Sequence, residues 1–377
     1  MIAYYVHHHG AGHLERARAV LGHLPSPTAV LSQLPIDSGG LGPGIDVVHL
    51  PPDAPARTSD VEAGGSLHWA PLDVDTAAPR VRAIAEWIDD HRPDLLVVDV
   101  SVEVAVLARL LGVPTAVIRL QGDRRDRPHR LAFDCASTIV APFPAELDDP
   151  GIDPELVRRT FYAGVISRGS PRMDLTPTDA DTGARSCAVL WGRGGPAPSV
   201  DALTAAADAT PDWSWTFVGP DHTPCCPRPN LRIVGWVTDV DAQLVGADVV
   251  VGAAGNGTIA AAARSGRPFI CLPQPRPFDE QVTTSRQLDR LDWAVVRSSW
   301  PSPGEWSDLL ETASRHTPLS AHVVMDDGAA LAKHLTSVAD RIARDRSSNA
   351  DAPIDRCREL AINRHGDEIV RPADRTS

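Results

Sequence analysis

The sequence predicts an α/β protein made of two doubly wound, Rossmann-like parallel sheets facing a central cleft, and three observations carry that prediction. Short runs rich in β-branched residues alternate with helix-period segments through both halves of the chain. Glycine-rich turns follow strand-like runs directly, at 10–12, 192–195 and 252–257. A polar stretch rich in Gly, Pro, Asp and Thr, residues 164–184, separates the halves. Alternation of this kind requires a parallel sheet covered by helices on both faces.

In the first half the strand candidates are 2–6, 28–31, 47–50, 95–100, 115–119 and 137–140. Leu14, Ala17, Leu21 and Leu24 recur at helical spacing after the first of them. In the second half the strands are expected at 187–191, 214–218, 231–234, 249–251, 269–272 and 294–296. Residues 328–344 read as a closing amphipathic helix, and beyond Arg346 the composition turns polar without a clear period. The expected organisation is therefore a first domain over 1–165, a linker over 166–185, a second domain over 186–345 and a polar tail over 346–377. At 377 residues the chain can bury a core in each domain.

Composition narrows the function. With 43% hydrophobic and 23% charged residues the chain is of ordinary globular type. A formal charge of -13 argues against DNA or RNA as a bulk electrostatic partner. No apolar run approaches the roughly 20 residues of a spanning helix, and Met1 leads straight into a strand, so a cytoplasmic protein without a signal peptide is expected. Cys135, Cys187 and Cys271 lie in apolar segments and read as buried reduced thiols. Cys225 and Cys226 are adjacent and lack the spacing of a zinc site, so neither metal nor disulfide framework is expected.

Two places carry chemistry. Residues 248–281 run strand, glycine turn, alanine-rich helix, strand and then Asp279, Glu280 and Gln281. A helix that opens from a glycine turn presents unpaired N–H groups and a positive dipole end, which together suit a phosphate. A carboxylate beside an amide suits sugar hydroxyls, because acceptors and donors stand together. The second place is the turn after strand 2–6, His7-His8-His9-Gly10-Ala11-Gly12-His13. His13 would lie in a helix's first turn at the cleft edge, where the dipole favours the neutral ring that a general base requires. Asp99 ends the apolar strand at the same sheet edge and could orient His13, or cap the helix beginning near Val102. Gly10 and Gly12 match the dinucleotide fingerprint only in part, since Glu15 occupies its third glycine position. Arg119, Arg124, Arg125, Arg127 and Arg130 follow the strand at 115–119. They suit an anionic acceptor or membrane face, or, with Asp123 and Asp126 interspersed, a solvated loop.

These residues together resemble a GT-B glycosyltransferase of the family 28 type, which includes the UDP-GlcNAc transferase of lipid II synthesis and diacylglycerol glycosyltransferases. The resemblance covers about residues 1–345 and rests on GAGH at 10–13, WGRGG at 191–195, the run 235–258, and Gly266 through Gln281. It implies a first domain that takes an acceptor and a second that takes a nucleotide diphosphate sugar, expected to be a UDP-sugar, as co-substrate with no further cofactor. His13 then matches the base or acceptor-site histidine, with Gly10, Gly12, Arg119 and Arg124 on the acceptor side. Gly192, Gly194 and Gly195 match the first donor loop, and Val237 the backbone contact to the base. Gly255, Asn256, Gly257 and Thr258 match the diphosphate turn, and Asp279, Glu280 and Gln281 the sugar-hydroxyl contacts. Ala253 and Ala254 replace the side chains that relatives carry before that turn, and Ala261 replaces their ribose-gripping glutamate. The implied reaction is inverting, metal-independent sugar transfer. A sugar-nucleotide epimerase and a non-catalytic nucleotide-sugar binding protein are the competing readings.

Overall fold

A computed structural model describes residues 1–8, 11–25, 27–37, 40–53, 59–72, 74–168, 185–192, 194–220 and 227–350. The strands are β1 (Ile2–Val6), β2 (Thr28–Ser32), β3 (Ile45–His49), β4 (Leu95–Asp99), β5 (Thr115–Ile118), β6 (Thr138–Ala141), β7 (Thr160–Tyr162), β8 (Val165–Ile166), β9 (Arg185–Leu190), β10 (Trp213–Val218), β11 (Leu231–Gly235), β12 (Val249–Gly252), β13 (Phe269–Cys271), β14 (Val295–Val296) and β15 (Met325–Asp326). The helices are α1 (Ala11–Leu21), α2 (Ala77–His91), α3 (Val102–Leu110), α4 (Arg127–Cys135), α5 (Pro154–Arg159), α6 (Val200–Ala209), α7 (Asp241–Leu244), α8 (Asn256–Ser265), α9 (Glu280–Arg290), α10 (Trp306–Ser314) and α11 (Ala329–Ala350). No helix among the described residues is long and apolar enough to cross a membrane.

The strands form a seven-stranded sheet, β3-β2-β1-β4-β5-β6-β7, and a six-stranded sheet, β11-β10-β9-β12-β13-β14. Neighbours in both are parallel. Two-sided burial explains why central strands such as β1, β4 and β12 read as nearly unbroken apolar runs. In β1, Ile2, Tyr4 and Val6 enter one core while Ala3 and Tyr5 enter the core on the opposite face. In β9, Ala188 packs to one side and Cys187 and Val189 to the other. Cys187 and Cys271 are buried, and burial pushes both thiols well above their ordinary range. Cys135, expected to be buried, is partly exposed because it closes the last turn of α4.

Strand order reverses direction between β1 and β4 in one sheet and between β9 and β12 in the other. At such switch points the connections leave in opposite directions and open a crevice beyond the strand ends. Both candidate sites fall at a switch point.

Three strands have no sequence counterpart. β7 extends the first sheet, while β8 and β15 pair with each other. The helix expected at 328–344 is α11, but it does not cover the second sheet. Its Leu331, Ala332, Leu335, Val338 and Ala339 join the core of β1, β2 and α1. Gly328, at φ +102°, makes this return, because a Cβ there would overlap the Ala19 carbonyl. The Asp326 carboxylate then accepts the N–H groups of Ala330 and Leu331 at 3.1 and 3.3 Å.

Candidate active site

Asp99 is the last residue of β4 and lies in register with Val6, the last of β1. Its carboxylate therefore meets the first turn of α1, where His13 and Arg16 stand three residues apart on one face. His13 Nδ1 is 2.8 Å from Asp99 Oδ1. Arg16 donates from Nε to Oδ2 at 3.0 Å and from Nη2 to Oδ1 at 2.8 Å, a bidentate pair. Tyr4 adds its hydroxyl to Oδ2 at 3.3 Å. Asp99 is fully buried, which alone would raise its carboxyl, but Arg16 and then His13 hold it well below the usual carboxylate range. Burial, followed by the Asp99 charge, raises the Tyr4 phenol.

Arg16 Nη2 also lies 3.0 Å from His13 Nδ1, and a guanidinium can only donate. The carboxylate is the stronger partner for Nδ1, so we assign Nδ1–H as a donor to Asp99, which leaves the Nε2 lone pair available. Among the described residues Nε2 has no hydrogen-bond partner. Asp99 does not cap the following helix; Ser101 does, accepting Val104 N–H at 3.3 Å.

At the second switch point β12 ends in Gly252, where a Cβ would clash with the Thr258 methyl, and the chain turns into α8. Ile259 is the first of this helix to find a backbone acceptor, Gly255 O at 3.0 Å. No side chain caps the helix, so Asn256, Gly257 and Thr258 offer N–H groups without an acceptor among the described residues. Gln281 is 3% exposed and braces the turn from behind: its Oε1 accepts Ala254 N–H at 3.2 Å and Gln274 N–H at 2.9 Å. The neighbouring turn, after β9, is closed by Trp191, whose Nε1 donates to Pro196 O at 2.9 Å. Gly192 and Gly194 are exposed on it, and Gly195 abuts the Gln274 amide.

The two domains touch where the residues after β5 meet the residues before α9. Asp123 N–H donates to Phe278 O at 2.7 Å, and Gln121 Nε2 to Asn256 Oδ1 at 3.2 Å. Arg124 reaches Glu280 Oε2 at 3.4 Å and lies over the Phe278 ring at 5.1 Å. Gly122 permits this approach: at φ +100° it has no Cβ, and one would overlap the Phe278 carbonyl oxygen. Gly122→Ala is expected to destabilise the protein by about 1–3 kcal/mol through strain and the lost contact. Urea unfolding monitored by tryptophan fluorescence measures this; an unchanged midpoint would remove Gly122 from the account.

Arg124 also orders a histidine cluster. Its Nη1 donates to His129 Nε2 at 2.9 Å, so His129 carries its proton on Nδ1 and gives it to Asp126 Oδ1 at 2.8 Å. Burial, then the Arg124 charge, pushes the His129 imidazole down to about 4. His68 Nε2 completes the cluster, 3.0 Å from Asp126 Oδ2. One ligand atom from each of His68, Asp126 and His129 lies within 4.8 Å of the others, a grouping that could hold a metal ion. As arranged, the proton fixed on His129 Nδ1 opposes ligation there.

Placement separates the expected residues. His13 and Asp99 come together, as do Gly255, Asn256, Gly257 and Thr258 with the turn holding Gly192, Gly194 and Gly195. Arg119 does not reach the cleft: it is 2% exposed, paired with Asp148 through both terminal nitrogens and flanked by Phe143 and Tyr162. Of the other arginines, Arg125 pairs with Asp123 in solvent, and Arg127 begins α4 behind the Asp126 cap. Gln281 Oε1 serves the backbone, which leaves exposed Asp279 and half-buried Glu280 as the carboxylates at the opening. Ala261 is buried in the core between α8 and the sheet. Gly12 precedes His13 in α1, and Gly10 lies outside the described residues. Val237 follows β11, next to Trp236, which is 44% exposed. Arg16, the bidentate partner of Asp99, is a residue of this site that the sequence did not single out; its signal was the three-residue spacing from His13.

Two Rossmann-like domains, each with a switch point opening on a shared cleft, define the GT-B architecture, and the chain has that fold. The spinosyn rhamnosyltransferase SpnG in complex with thymidine diphosphate is similar at TM-score 0.61 and 19% identity, over 93% of this chain and 100% of that one. CalG4, the calicheamicin glycosyltransferase, is similar at TM-score 0.59 and 15% identity, over 93% and 99% of the two chains. MurG of Acinetobacter baumannii is similar at TM-score 0.56 and 15% identity, over 91% and 99%. By sequence alone the chain matches no protein-family model and no curated protein.

Proposed function

We propose that the protein is an inverting glycosyltransferase that uses a nucleotide diphosphate sugar and needs no metal ion. The observation that carries this reading is the pairing of sites across the cleft. An imidazole oriented by a buried carboxylate ends one sheet, and an uncapped helix N-terminus at a glycine turn ends the other. His13 Nε2 takes the proton of an acceptor hydroxyl, whose oxygen attacks the anomeric carbon from the face opposite the diphosphate. The bond from that carbon to the phosphate oxygen breaks, and its electron pair leaves with the diphosphate. N–H groups of Asn256, Gly257 and Thr258, with the α8 dipole, stabilise the developing charge. Asp279 and Glu280 offer acceptors to sugar hydroxyls, and Trp236 beside Val237 offers a flat face to a base. The thymidine diphosphate held by SpnG supports including dTDP-sugars among the donors. Trp69 and Phe278, 38% and 36% exposed beside the cleft, suit an acceptor with an apolar body.

Incubation with UDP-, GDP- and dTDP-sugars, with and without candidate hydroxyl acceptors, tests the proposal. Release of nucleoside diphosphate that acceptor accelerates is the expected result. An isomerised donor without release would mark an epimerase, and binding without turnover a non-catalytic protein.

A further inference from the structure

We propose that Arg276 is a catalytic cation that grips the leaving diphosphate, an inference that rests on the glycosyltransferase reading above. Among the described residues Arg16, Arg80, Arg119, Arg124 and Arg264 answer to Asp99, Asp53, Asp148, Glu280 and Asp241, while partly buried Arg267 donates to the Val245 carbonyl. Arg276 is also partly buried. Its hydrogen bond goes from Nη2 to the neutral Gln274 Oε1 at 3.3 Å, and it forms no ion pair with any described residue.

Position gives this cation its use. The guanidinium lies flat against Gly194, where an added Cβ would overlap Nη1, Nη2 and Cζ. Gly194 belongs to the turn after β9, and β9 pairs with β12 up to the register of Leu190 with Gly252. The Gly194 turn and the α8 turn therefore lie side by side. One segment fastens Arg276 to both. Gln274 Nε2 donates to Pro196 O at 3.0 Å, and the Gln274 N–H shares Gln281 Oε1 with Ala254 N–H.

The α8 turn itself supplies no charged side chain: Ala253 and Ala254 are buried, and Gly255, Asn256, Gly257 and Thr258 are neutral. From the α8 turn, then, only partial charges on N–H groups face a dianionic or trianionic leaving group. A guanidinium beside them adds a full charge and a fork matched to two phosphate oxygens. No bond to Arg276 forms or breaks; it holds its proton and stabilises the charge that the departing oxygen gains.

The test titrates UDP and dTDP, and separately uridine and thymidine, against the full chain and its Arg276→Ala, Arg276→Lys and Gly194→Ala variants. Calorimetry reads the diphosphates and ligand-observed NMR the nucleosides. Arg276→Ala should lose about 10–100-fold in diphosphate affinity with nucleoside affinity unchanged, and turnover should fall with it. Arg276→Lys should restore part of the loss. Gly194→Ala keeps the arginine but displaces it, its backbone needing no positive φ, and should give an intermediate loss. Diphosphate affinity in Arg276→Ala equal to that of the parent overturns the proposal, as does a parallel loss of nucleoside affinity, which marks a structural role. A parent protein that binds neither diphosphate overturns the glycosyltransferase reading as well, so the two failures are distinguishable.

Discussion

His13→Ala is expected to lower turnover by about 10²–10⁴-fold while leaving affinity for the nucleoside diphosphate unchanged. Geometry separates the two effects. His13 stands at the end of the first sheet, and the turns assigned to the donor stand at the end of the second. Asp99 holds Nδ1, so the lone pair at risk is Nε2, the atom that would take the acceptor's proton. Steady-state rates at saturating donor, together with diphosphate titration, check both halves. Near-parental turnover would remove His13 as the base. Lost diphosphate affinity would move it into the donor site.

Asp99→Ala is expected to abolish turnover and also to destabilise the fold by about 3–5 kcal/mol, because it leaves the buried Arg16 guanidinium without a counter-charge. The second effect can be isolated. Asp99→Leu combined with Arg16→Met removes both charges and should recover most of the stability without recovering activity. The pair also sets a pH dependence. The Asp99 carboxyl lies below its unfolded value of about 3.9, so its contribution is complete above that pH and is lost as pH falls through the folded value. The stability gap between the parent and Asp99→Asn should therefore be constant near neutrality and shrink below about pH 4. Urea midpoints across that range measure it, and a gap that widens toward acid would reverse the assigned sign.

Much of this was legible in the chain because two-sided sheets leave a strong mark. Strands such as β1 are apolar at every position and β9 is so over Cys187–Leu190, and at Gly252 an added Cβ would meet the Thr258 methyl and the Leu190 carbonyl. What the sequence hid follows from tertiary contact. Arg16 and Arg18 look alike on α1, yet one is 6% exposed against Asp99 and the other pairs with Glu15 at the surface. Arg119 reads as a cleft residue until Asp148, twenty-nine positions later, turns it inward. β7, β8 and β15 span three, two and two residues, too few for alternation to show. α11 has a clear apolar stripe, but periodicity cannot say which sheet receives it. Gln281 has the composition of a sugar ligand and the bonding of a brace.

Hydrogen–deuterium exchange with and without saturating UDP or dTDP tests the central claim most directly, since backbone N–H groups are themselves the proposed ligands. Slowed exchange concentrated at residues 191–196, 253–259 and 274–281, with little change at 11–16, is the expected result. Protection confined to the first sheet, or absent from residues 253–259 under conditions where the diphosphate binds, would contradict it.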